Sequence, residues 1–144
     1  GFTFNWGIIM ALAAMTNEIF YLPILLYFGA IFWTLGYDTI YGLQDASDDE
    51  IIGVKSTAIK FKNNLNLFVG ICYSVCSAFM LFVFINLGIN YFLIFLIIFM
   101  FSLFYQIKIY DVNKPHMCLK AFKLNNLSGS LIFLLFFLTA IYSK

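Results

Sequence analysis

"FWTLGYDTIYGLQDASDDEIIGVKSTAIKF", residues 32–61, starts as a helix fit for lipid and turns abruptly into a run of acids. Asp38, Asp45, Asp48, Asp49, Glu50 and Lys55 fall within 18 residues of a 144-residue chain in which only 10% of side chains are charged. The rest is apolar: 63% of residues are hydrophobic and the mean hydropathy is +0.95. A soluble domain of this length needs far more polar surface. Backbone in lipid must satisfy its own hydrogen bonds, so the composition predicts an all-α, polytopic transmembrane helix bundle.

Outward from this boundary, five apolar stretches separate: 2–16, 21–37, 66–87, 89–109 and 127–142. The third has 22 residues, about 33 Å at helical rise, enough for a bilayer. The connections at 17–21 and 88–90 are tight, and those at 38–65 and 110–126 are long and polar. About five spans are therefore expected, in one membrane domain over residues 1–144. With five spans both long loops share a side. Lys55, Lys60 and Lys62 lie in one; Lys108, Lys114, Lys120 and Lys123 flank or fill the other. The positive-inside rule then puts the acidic loop in the cytoplasm, or in the matrix of an organelle.

Net charge is +1, which offers nothing to a nucleic acid or any other strongly charged partner. The sequence opens on Gly1 within an apolar stretch, and no charged n-region of a signal peptide precedes it. Cys72 and Cys76 share a helical face with no His, Asp or Glu nearby, so they and Cys118 read as structural thiols. His116, alone in a lysine-rich loop, reads as solvated, and Asp111 as a loop charge. Arg is absent, so no guanidinium fork is offered to a carboxylate ligand.

If the second helix continues past the membrane edge, Asp38, Tyr41, Asp45 and Asp49 fall within about 80° of one another, a single stripe with Asp48 beside it. Crowded carboxylates repel unless a cation joins them. A hard divalent ion fits, since Mg²⁺ uses one or two carboxylates together with phosphate oxygens. Lys55 is a point charge suited to phosphate. The alternative is a solvated acidic loop that keeps a helix end in water. Against it stands Asp38, directly after the apolar run 32–37, where an ionised group is costly. An EF-hand fails: counted from Asp45, its glycine position is Glu50 and its twelfth is Ser56.

Trp33-Thr34, Tyr37-Asp38-Thr39, Tyr41, Asp45, Asp48-Asp49 and Ile52 to Ala58 resemble the second aspartate-rich motif of the UbiA-type intramembrane prenyltransferases. The branch that prenylates 4-hydroxybenzoate is the most similar. Two weaker matches flank it: "FNWGIIMALAA", 4–14, with Ile9 where a proline is common, and "CLKAFKLNNLSGSLIF", 118–133. Ala46 and Ser47 stand where the family often has charge. The resemblance implies the last five of about nine helices, the C-terminal part of a larger domain whose N-terminal half carries the first aspartate-rich motif.

That resemblance implies Mg²⁺-dependent transfer of a polyprenyl group from its diphosphate to 4-hydroxybenzoate in ubiquinone biosynthesis. Asp38, Asp45 and Asp49 become Mg²⁺–diphosphate residues, with Asp48 as a further ligand. Lys55 becomes a diphosphate residue, Tyr41 orients a carboxylate or the donor, and Asn125 and Asn126 line the mouth of the site or else cap the last helix at the interface, while Asn5 and Trp6 could face the pocket or anchor the interface. The expected partners are the bilayer, the two substrates and the other half of the fold, and the chain alone is expected to be inactive. The expected location is a bacterial inner membrane, with the mitochondrial inner membrane as the alternative. Two other readings stand beside it: a non-catalytic membrane subunit or remnant, and a transporter fragment with Asp38 on an ion path.

Overall fold

The computed structural model describes residues 2–16, 21–53, 55–87 and 91–142. They form eight α-helices with no strand among the described residues. Helix α1 is Phe2–Thr16, α2 is Tyr21–Gly42, α5 is Leu65–Asn86, α6 is Leu93–Ile109 and α8 is Asn125–Tyr142. These long helices carry the apolar stretches. The polar connections hold short ones: α3 (Ala46–Ile52), α4 (Thr57–Lys60), a 3-10 turn at Lys62–Asn64 and the amphipathic α7 (Pro115–Lys123).

Three segments are long and apolar enough to cross a membrane: Tyr21–Gly42, Lys62–Asn86 and Pro115–Tyr142. Helix α6 is a shorter apolar helix of 17 residues and α1 has 15. The five expected apolar helices are all present, but two fall short of full spanning length. The tight connections expected at 17–21 and 88–90 lie largely outside the described residues.

Cross-helix contacts fix the directions. Tyr21 at the start of α2 bonds Asn86 at the end of α5, while Gly36 near the end of α2 meets Tyr73. The hydroxyl of Tyr110, after α6, donates to Asn66 at the start of α5. Ser102 meets Ser128, and Phe92 packs on Tyr142. Helices α2, α5, α6 and α8 therefore alternate up and down. One end of the bundle gathers the end of α2, the start of α5, the end of α6 and the start of α8. The acidic connection and α7 join the helices at that end.

Close approach of α2 and α5 depends on glycine. A Cβ on Gly36 would lie 2.4 Å from the Tyr73 ring, and one on Gly29 would lie 3.1 Å from the Phe79 Cβ. Small residues let helix backbones come together where lipid offers no hydrophobic drive. Tyr73, Phe84, Phe99, Leu103 and Leu135 fill the fully buried centre. Cys72, Cys76 and Cys118 are free and buried, as structural thiols should be.

Polar side chains inside this core are paired across helices. The Tyr73 hydroxyl donates to Oε1 of the fully buried Gln106 at 2.7 Å. Gln106 Nε2 in turn donates to Asn125 Oδ1 at 3.2 Å and to Ser128 Oγ at 3.4 Å. Trp33 Nε1 donates to the same Asn125 oxygen at 3.1 Å. One amide oxygen thus ties α2 and α6 to α8, and Gln106 carries the network on to α5. Such bonds satisfy groups that would be costly to leave bare in an apolar interior.

Candidate functional site

The acidic stripe does not form as a single helical face. Helix α2 runs on from the apolar stretch through Asp38 and Tyr41 but stops at Gly42. Leu43 N–H to Ile40 O and Gln44 N–H to Tyr41 O tighten its last turn, and Leu43 turns into the core. Asp45 then stands at the N-cap of the new helix α3, which carries Asp48 and Asp49 in its first turn. The break has a local cause. Glycine is a poor helix former, and acids in the first turn complement the helix dipole; Asp45 occupies the N-cap position, but its side chain makes no capping hydrogen bond. Gly42 also lies against α4, where its Cβ would sit 3.6 Å from that of Ala58.

Asp38 therefore belongs to α2, while Asp45, Asp48 and Asp49 belong to α3, at the same end of the bundle. Asp38, Asp45 and Asp48 are exposed and Asp49 is half-buried. Among the described residues none of the four forms an ion pair, while Glu50 pairs with Lys62 at 2.7 Å. No three His, Cys, Asp or Glu side chains among the described residues stand close enough to hold a metal by themselves. A cation held by one or two of these carboxylates together with ligand oxygens is the arrangement they fit, which is the habit of Mg²⁺.

The loop after α3 is built for close turns. Gly53 closes α3 at φ 79°, a left-handed conformation that favours glycine, and its N–H bonds Asp49 O. Ser56 caps α4 by accepting from Ile59 N–H at 3.3 Å. Thr57 Oγ1 lies 2.8 Å from Thr39 Oγ1, and Thr39 also donates to Leu35 O. This latch fixes the loop to the last turns of α2. Lys55, Ser56, Thr57 and Lys60 border a cavity of about 490 Å³. Lys60 joins Lys55 there, a second cation that the motif alone did not single out.

A second cavity, of about 250 Å³, opens beside α2, one helical turn before Asp38. Its rings are Trp33, Tyr37 and Phe122; its polar groups include Thr34, Asn125 and Asn126. Asn5 reaches in from α1 and donates to Thr34 Oγ1 at 2.8 Å. Phe122 comes from α7 and packs on Tyr37 and Tyr41, with ring centroids 5.7 and 4.7 Å apart. Trp33 stands edge-on to Phe99.

Several expectations meet this geometry. Asn126 lines the cavity, and its side chain makes no hydrogen bond among the described residues. Asn5 lines it too, whereas Trp6 is half exposed and packs edge-on against Tyr27. Tyr41 is turned toward Phe122, and its hydroxyl bonds no carboxylate among the described residues. Lys55 is exposed beside its own cavity. His116 is exposed and Asp111 pairs with Lys114. Phe122 was missed because nothing in a lysine-rich stretch marks one Phe. Its heptad-like neighbours Cys118 and Ala121, both buried, were the available signal that 115–123 is a packed helix.

A family model for the UbiA prenyltransferase family matches residues 1–128, and the chain belongs to that family. It is 37% identical over 140 residues to the mitochondrial 4-hydroxybenzoate polyprenyltransferase of Bos taurus, covering 93% of this chain and 37% of that one. It is 38% identical over 138 residues to the 4-hydroxybenzoate octaprenyltransferase of Vibrio parahaemolyticus, covering 92% of this chain and 47% of the relative. The same identity holds over 141 residues with the 4-hydroxybenzoate octaprenyltransferase of Coxiella burnetii, covering 96% and 49%. The chain thus spans less than half the length of these curated relatives. No solved structure matches.

Proposed function

We propose that this chain supplies part of the active site of an intramembrane aromatic prenyltransferase. The reaction is transfer of a polyprenyl group from its diphosphate to 4-hydroxybenzoate, a step of ubiquinone biosynthesis. The observation that carries the reading is the cluster of unpaired carboxylates on α2 and α3 next to the Lys55 loop, at the end of an apolar bundle. The names of the relatives supply the substrates.

One or two of Asp38, Asp45, Asp48 and Asp49 at a time would hold Mg²⁺ together with diphosphate oxygens. When bound, the ion neutralises the diphosphate and eases departure of that leaving group from the allylic carbon. Lys55 and Lys60 offer ammonium groups to the diphosphate oxygens beside their cavity. The Thr39–Thr57 latch keeps that loop at the end of α2. The apolar faces of the bundle house the isoprenoid tail and keep water from the electron-poor prenyl carbon. The ring of the acceptor, activated by its hydroxyl, supplies the electron pair for the new bond, and the substituted ring carbon then gives up its proton, which the released diphosphate can accept. An upstream segment is the partner that completes the site. The location is an inner membrane, bacterial or mitochondrial, with the acidic connection on the cytoplasmic or matrix side, where the positive-inside rule puts its lysines.

Formation of prenylated 4-hydroxybenzoate in liposomes that hold this chain together with the upstream half of a relative tests the reading. Product should require Mg²⁺ and should fall by about 10²-fold or more in Asp38→Asn and Asp45→Asn. Full product without divalent ions, or undiminished product from both variants, would refute it. Ion flux in the same liposomes would favour a transporter.

A further inference from the structure

We propose that a third cavity, of about 620 Å³, between the 3-10 turn, the start of α5, the end of α6 and the connection after it, seats the phosphate headgroup of an anionic phospholipid from the surrounding bilayer, with Lys108 as its main cation. This site stands apart from the proposed transferase site. None of the four aspartates of the acidic edge lines it, nor does Lys55. Lys62 and Lys108 do. Lys108 is exposed in the last turn of α6 and forms no ion pair among the described residues.

The carboxylates here are already answered. Asp111 lines the cavity but pairs with Lys114 at 3.3 Å and accepts from the Asn113 N–H at 3.0 Å. Glu50 pairs with Lys62 at 2.7 Å. An ammonium carries three donors, and an exposed pair of this kind is worth about 1 kcal/mol at most, so Lys62 retains hydrogens to give. Asn66 adds a neutral donor: its Oδ1 accepts from the Tyr110 hydroxyl, which leaves the NH₂ end for a ligand oxygen.

The surroundings select a lipid over a soluble anion. Phe101, Phe104 and Tyr105 are exposed and share a face of α6 with Lys108. A bare apolar stripe thus ends in an ammonium, the arrangement of a lysine that reaches from the membrane edge to the headgroups. A phospholipid with its phosphate in the cavity lays its acyl chains along those rings, whereas a free phosphate has no use for them. Basic pockets between membrane helices on the cytoplasmic or matrix side are suited to anionic headgroups.

Native mass spectrometry of the full chain in detergent, with phosphatidylglycerol or phosphatidylcholine added at equal concentration, tests the site. Phosphatidylglycerol should be retained in preference. Lys108→Gln should weaken its binding about tenfold, as loss of a charge-assisted hydrogen bond does, while Lys108→Arg keeps it. Lys120→Gln makes the same charge change on α7 outside the cavity and should leave binding within about twofold. These lysines are exposed, so the variants should fold. Undiminished binding in Lys108→Gln would overturn the site. Equal losses in Lys108→Gln and Lys120→Gln would reduce it to diffuse surface attraction and overturn it too. Displacement of the lipid by inorganic phosphate at the same concentration would make it a free-anion site and refute the lipid assignment.

Discussion

Trp33 and Asn125 stand 92 residues apart in sequence, yet the indole N–H donates to the amide oxygen at 3.1 Å. That oxygen also receives Gln106, so a single side chain joins α2, α6 and α8 at the depth of the cavity. Removing it should be felt in both stability and shape. Asn125→Ala strips the indole of its partner, whereas Gln106 keeps Ser128 and Tyr73. Interhelical hydrogen bonds in membranes average about 0.6 kcal/mol and reach about 2 kcal/mol. A loss in that range is expected, read as a lowered thermal midpoint in detergent.

Gly36 is the tightest point between α2 and α5. A methyl there would sit 2.4 Å from the Tyr73 ring, which is fully buried and pinned through its hydroxyl to Gln106. Gly36→Ala should therefore cost about 1–3 kcal/mol or more through overpacking. Gly70→Ala is the control, since a Cβ there meets nothing within 4 Å. In a helix interior that change should stabilise by about 0.5–1 kcal/mol. Paired thermal melts of the two variants check the contrast.

Much of this architecture was legible in the sequence, and the reasons are physical. The first apolar stretch, 2–16, coincides with α1, because lipid-facing helices need continuous apolar runs. The presence of an acidic connection after the second apolar stretch was equally plain from Asp38 to Glu50. Its shape was not. Reading one helix through Gly42 ignored the glycine and the N-cap signal at Asp45, and so drew one stripe where two helices meet. The Tyr73–Gln106–Asn125–Trp33 network was invisible because its members are scattered over four helices, and no local pattern links them. Helix α7 was hidden by its lysines, which occupy only its outer face.

The Thr39–Thr57 pair gives a local test of the motif loop. Thr57→Val removes one hydroxyl of the 2.8 Å contact, while Thr39 keeps Leu35 O. Global stability should change by no more than about 1 kcal/mol. Amide exchange at residues 55–60 should speed up, and KM for polyprenyl diphosphate should rise while KM for the acid holds.

Asp111 offers a pH test at the other connection. The Asn113 N–H and the Lys114 ammonium beside it hold its carboxyl below the usual carboxylate range. A depressed folded-state pKa contributes stability above the unfolded value of about 3.9, and the contribution is lost as pH falls through the folded value. Carboxyl carbon shifts of Asp111 should thus titrate below those of an unfolded reference peptide. Asn113→Pro, which lacks the N–H, should move the titration up.

The most direct measurement of the central claim is prenyl transfer by this chain with and without the upstream half of a relative. Both are reconstituted with polyprenyl diphosphate, 4-hydroxybenzoate and Mg²⁺. The account predicts product only when the two parts are combined, and its loss when the 144-residue part carries Asp45→Asn. Undiminished product from that combination with Asp45→Asn and Asp38→Asn together would contradict it, because the acidic edge of α2 and α3 would then have no part in the reaction.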